Sequence, residues 1–133
     1  MFWENAKKES QDKNIESNDY DINVEVARHN YEAYQNDLRQ RQQNLIKKWC
    51  EEIRKASSKG KKYILTDNFV VDGNDKDKIL YLISGDVAYD FPSDASVQYF
   101  YQYFDERGFK VVLIKYPNNN ICCLKIIWVP SNE

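Results

Sequence analysis

A chain of 133 residues, 42% hydrophobic and 14% aromatic, is long enough to bury one core without staples and too apolar to stay disordered. No apolar run approaches the roughly 20 residues of a membrane span, and the stretch after Met1 turns polar at once, without a signal-peptide core, so secretion is not expected. The net charge of −2 conceals an asymmetry: between Arg39 and Lys62 nine basic residues face only Glu51 and Glu52, a local charge of +7.

Residues 1–22 read as a mobile polar arm, with Phe2 and Trp3 near its tip as costly residues to leave in water. A long helix is expected over residues 23–60, capped by Asp21 or Asn23 and ended by Gly60 as a left-handed residue. Its apolar positions recur three or four apart, and Leu45, Ile46, Trp49, Cys50 and Ile53 form a face that should pack on a sheet. The earlier half carries a weaker seam of Val24, Ala27, Tyr31, Tyr34 and Leu38, interrupted by Gln42. At about 1.5 Å per residue the helix would run roughly 50 Å, so that half is expected to project or to meet a partner helix.

After Gly60 the pattern changes to strands, Lys62–Val71 and Lys78–Ser84, around the turn-rich Asp72–Asp77. A short strand can follow at Val87–Tyr89. Ser93-Asp94 can then cap a second helix with apolar positions Val97, Phe100, Tyr101 and Phe104, stopped by Gly108. Phe109–Tyr116 and Ile121–Val129 form a final hairpin across Pro117–Asn120. The fold class is therefore α+β: a long N-terminal helix, then β-β-α-β-β, with a mainly antiparallel four-stranded sheet and helices on one side. Residues 61–133 belong to the same single domain as the helix.

The hairpin is greasy on both faces. Phe109, Val111, Leu113, Cys122, Leu124, Ile126 and Trp128 share one; Val112, Ile114, Tyr116, Ile121, Cys123, Ile127 and Val129 share the other. A one-sided sheet should carry a more polar second face. Either the N-terminal arm or another chain must cover it; a protein partner or a homo-oligomer is the favoured expectation, with Phe2, Trp3, Tyr31, Tyr34, Leu38, Val112, Ile114 and Ile127 as the contact residues.

Chemistry is sparse. His29 has only Glu25 and Glu32 near it on an open helix, a poor metal site, and the three cysteines fit reduced, buried thiols. Lys59-Gly60-Lys61 follows a helix instead of preceding one, so it is no phosphate loop. No catalytic, cofactor or metal residue is expected, and no small-molecule substrate. Arg41, Lys48 and Lys55 lie seven apart on one helical stripe that Lys59 and Lys62 continue. Such a stripe can neutralise phosphates, with Tyr99 and Tyr103 as stacking surfaces, or it can pair with Glu51 and Glu52 as ordinary solvated surface.

The segment from Ala56 to Trp128 resembles small α+β proteins of bacteriophages and large DNA viruses. In these a helix delivers a Gly-(Phe/Tyr)-x-Val strand into a hairpin ending Ile-x-Trp. Here the matching residues are Gly108-Phe109-Lys110-Val111 and Ile126-Ile127-Trp128, after the helix end Ala56–Gly60. The Asp72–Asp77 insertion and the long first helix depart from that arrangement, and no functional residue carries over. The resemblance implies a viral origin and a structural or virion-associated role. With no catalytic motif in the chain, the expectation is a non-enzymatic viral protein acting through protein contacts, a minor structural or virion-associated component in the host-cell cytoplasm or the virion. A nucleic-acid-binding or host-defence-inhibiting accessory protein is the alternative, and an enzyme of unrecognised type a third.

Overall fold

A computed structural model describes residues 21–92 and 94–130. The chain divides into two units at Tyr34/Gln35. In the first, α1 (Val24–Ser58) begins at Asn23, whose side-chain Oδ1 accepts the Val26 N–H at 3.0 Å as a helix cap. Phe2 and Trp3 lie outside the described residues.

In the second unit α1 ends as its glycine demands. Gly60 has φ +82°, the Gly60 N–H donates to the Ser57 carbonyl at 3.0 Å, and the Lys61 N–H reaches back to the Ala56 carbonyl at 3.0 Å. This closure satisfies two of the last carbonyls of the helix. The following strands are β1 (Tyr63–Leu65), β2 (Asn68–Val71), β3 (Ile79–Ser84) and β4 (Val87–Asp90); after α2 (Val97–Asp105) come β5 (Lys110–Lys115) and β6 (Ile121–Ile127).

The class is α+β, with an antiparallel sheet of six strands instead of four. β5 occupies one edge of β6; β1 and β2 lie end to end along the other; β3 and β4 continue outward from β2. Two departures raise the strand count. The short segment at Val87 forms a full edge strand, and the expected strand Lys62–Val71 breaks at Thr66-Asp67.

The break is built by a side chain. The Thr66 N–H donates to the Leu124 carbonyl at 2.9 Å, while the Leu124 N–H donates to Thr66 Oγ1 at 2.9 Å, so a hydroxyl takes the place of a ladder carbonyl. Chain direction can then change without leaving a buried N–H unpaired. A second irregularity between Val70 and Val71 leaves Leu80 as the extra residue, which puts Ile79 on the inner face and Leu80 in solvent.

Capping of α2 differs from expectation. Ser96 is the cap, its Oγ accepting the Gln98 N–H at 3.1 Å. Asp77, from the β2–β3 loop, adds Oδ1 as a second acceptor for the same N–H at 2.9 Å, and its carbonyl accepts the Val97 N–H at 2.8 Å. A cap contributed from across the sheet leaves no local signal. Ser93 lies outside the described residues. Gly108 stops α2 with φ +91°, Phe109 N–H donating back to the Phe104 carbonyl at 3.1 Å.

Both helices pack on one sheet face. Trp49 of α1, fully buried, meets Phe69 at 5.9 Å and Phe100 of α2 at 5.1 Å between ring centroids, and Phe69 stacks on Phe100 at 5.7 Å. Ile64, Leu82, Val111, Leu124 and Ile126 complete this inner layer. The partly buried Trp128 ties β6 to the helix end, its indole Nε1 donating to the Lys61 carbonyl at 2.9 Å.

Candidate functional site

Antiparallel partners share a sheet face, so register assigns the outer layer directly. Lys110, Ile127 and Tyr63 form one row; Val112, Lys125 and Leu65 the next; Ile114 and Cys123 a third; Ile121, Val70, Tyr81 and Asp90 a fourth. Leu65 is 50% exposed, Tyr63 45% and Val112 38%, while Ile114, Ile121, Ile127, Val70 and Tyr81 are half-buried. Within the second unit, α2 and the part of α1 from Gln35 onward pack on the inner face and cover none of it. Polar relief is slight: Lys125 lays its ammonium 4.3 Å from the Tyr63 ring centroid.

The expected residues Val112, Ile114 and Ile127 thus come together on this face. Tyr63 and Leu65, its most exposed apolar members, are not among the residues expected there from the sequence. Their alternation was visible within Lys62–Val71, but only the pairing of β1 with β6 places them beside Ile127.

Cys123 sits within the same layer yet is buried, with the Tyr116 hydroxyl 3.9 Å from its Sγ. Burial pushes the Cys123 thiol up, and the contact with Cys123 raises the Tyr116 phenol in turn. Cys122, on the inner face, is also pushed up by burial and then by its neighbour Cys123, with Lys115 opposing. Cys50, Cys122 and Cys123 are all unbridged.

Of the helix positions, Tyr31 is exposed and Tyr34 half-buried, both in the first unit. Leu38 is a correction. It is 7% exposed and belongs to the core, on the same helical stripe as Gln42, Ile46 and Trp49, so it presents no free contact surface. Gln42, expected to interrupt the seam, is itself buried.

The basic stripe is divided. Arg41 pairs with Asp37 at 3.1 Å and donates to the Asp90 carbonyl at 2.6 Å. Lys48 pairs with Asp67 at 2.9 Å. These two cations are spent on holding α1 to the sheet, whereas Lys55, Lys59 and Lys62 remain exposed. Glu52 is raised, first by burial and also by the nearby Asp67 charge, with Lys48 and Lys55 opposing. Tyr99 and Tyr103 meet a different pair of cations, Lys47 and Arg54, across a groove.

Among the described residues no group of three or more His, Cys, Asp or Glu could hold a metal ion. No helix among them is long and apolar enough to cross a membrane. Comparison with known family models, curated proteins and solved structures finds no match.

Proposed function

We propose that this chain is a non-enzymatic protein-binding module that associates with a second copy of itself through the outer face of its sheet. The observation that carries this reading is the apolar cluster Leu65, Val112, Tyr63 and Ile127, spread over two adjacent rows that also hold Lys110 and Lys125, on a face that no helix among the described residues of the second unit covers. With its half-buried neighbours it forms one contiguous apolar patch, the kind of surface that marks a contact site. A polar rim extends it toward the roughly 800 Å² per partner of a stable interface.

A second copy is the favoured occupant on two grounds. Flat sheet faces pack on one another, and a two-fold axis covers both with a single contact. The rim is also polar in the useful sense: Lys110 on β5 and Asp90 on β4 lie at opposite corners of the face. A two-fold axis across that diagonal sets each lysine over the partner's aspartate. The β5 edge is less suited, because that strand begins and ends with Lys110 and Lys115, a pattern that discourages strand addition. The resemblance to small viral proteins supports a particle-associated or infection-stage setting for such an assembly.

The test is the mass of the full chain by size exclusion with light scattering across a concentration series. Dimer is expected, and Leu65→Lys with Val112→Lys should convert it to monomer without lowering the monomer's thermal stability. A wild-type chain that stays monomeric at high concentration defeats the reading. So does a doubly substituted chain that remains dimeric.

A further inference from the structure

The groove between α1 and α2 holds a set of side chains that sheet-to-sheet association does not use. Lys47, Cys50, Glu51 and Arg54 of α1 face Tyr99 and Tyr103 of α2 across about 540 Å³. We infer that this groove binds single-stranded nucleic acid, with Tyr99 and the Arg107 guanidinium held over Tyr103 taking bases and Lys47 and Arg54 taking phosphates.

Spacing is the first support. Tyr99 and Tyr103 are one helical turn apart, about 6 Å, comparable to the separation of neighbouring bases on an extended strand. Lys47 and Arg54 are seven residues apart and so lie on one stripe of α1, about 10 Å along its axis, beside both rings.

Charge is the second. Among the described residues neither Lys47 nor Arg107 has a carboxylate partner. Arg54 has only Glu51 at 3.7 Å, with both side chains more than half exposed, a pair too solvated to neutralise it. Within the groove lining Lys47 and Arg54 stand against Glu51 alone, a local charge of +1 on a chain whose total charge is negative.

The aromatic arrangement is the third. Tyr99 is 40% exposed, and its ring stands edge-on to Phe100 at 5.4 Å, so the core below fixes its orientation. Arg107 lies 3.6 Å from the Tyr103 ring centroid and donates to the Tyr103 carbonyl at 2.8 Å. A guanidinium plane held over a ring is itself a platform for a base. Bases inside a duplex already stack on each other and cannot offer their faces to tyrosines, and an acidic peptide has no face to offer. Unpaired nucleotides satisfy both halves of the groove.

The groove lies on the helix layer, opposite the outer sheet face, so binding here and self-association through that face are separately measurable. The experiment is fluorescence anisotropy of a labelled oligothymidylate titrated with the full chain at several salt concentrations. Affinity should fall with salt, with a slope of about −0.7 per phosphate contacted. Tyr99→Ala should weaken binding about tenfold. Lys47→Ala and Arg54→Ala should each flatten the salt slope, whereas Lys59→Ala, outside the groove, should leave both affinity and slope unchanged. Saturating oligonucleotide should also slow alkylation of Cys50 on the groove floor. Absence of binding at low salt overturns the inference. Equal affinity for a duplex of the same length, full displacement by polyglutamate, or an unaltered Tyr99→Ala variant would each overturn it as well.

Discussion

Trp49 donates its indole Nε1–H to Oδ2 of Asp67 at 3.2 Å, and that same oxygen accepts the Lys48 ammonium at 2.9 Å. One carboxylate at the break between β1 and β2 therefore holds two consecutive residues of α1. Trp49 also centres the aromatic cluster, so this contact sets where the helix lies on the sheet.

Removal of that acceptor should be costly. Asp67→Ala leaves a fully buried indole N–H without a partner and should destabilise the fold by about 2 kcal/mol. Asp67→Asn keeps an oxygen at the site and should cost less. Urea denaturation followed by tryptophan fluorescence measures both, and equal losses would show that the hydrogen bond to Trp49 is unimportant.

Thr66 offers a sharper comparison, because its hydroxyl accepts the buried Leu124 N–H. Thr66→Val preserves shape but orphans that N–H, with an expected loss of about 1–3 kcal/mol. Thr66→Ser retains the acceptor and should lose much less. Hydrogen exchange at Leu124 should accelerate only in the valine variant.

The two helix-ending glycines should respond alike. A Cβ at Gly60 or Gly108 meets nothing within 4 Å, so substitution there is a pure conformational effect. Each alanine should cost about 1 kcal/mol through its positive φ. Thermal melts of the single variants would read this directly; an unchanged midpoint would mean the helix ends adjust.

The thiols predict a reactivity order and a pH slope. Cys50 is partly exposed whereas Cys122 and Cys123 are buried, so iodoacetamide should modify Cys50 first in the native chain. Burial holds the two strand thiols above their ordinary value of 9.0, so the folded state keeps its protons longer than the unfolded one. Stability should accordingly decline as pH rises past about 9. Replacing both residues by alanine should flatten that alkaline slope in a pH series of denaturation curves.

Glu52 gives a slope in the acid range. Burial raises its carboxyl above the ordinary 4.5, so the native state binds the proton more tightly and stability falls as pH rises from 4.5 through the raised value. Glu52→Gln should remove that contribution and leave the protein slightly more stable at neutral pH. A variant with the wild-type pH profile would show that Lys48 and Lys55 already offset the burial.

Period and punctuation determined much of this molecule by themselves. Apolar spacing placed α1, Gly60 and Gly108 marked the ends of both helices, and alternation placed the final hairpin, because helix stops and strand faces are local consequences of backbone sterics. The same alternation showed that Val112, Ile114 and Ile127 share a face. Only the tertiary structure decided which edge of β6 receives β1 and β2, and hence that Tyr63 and Leu65 join those residues. It also decided that Asp77 caps α2 and that Asp67 claims Lys48. Leu38 became core and Lys47 and Arg54 came to face Tyr99 and Tyr103 for the same reason: such pairings join residues far apart in the chain, and sequence periodicity carries no record of which distant partner a side chain meets.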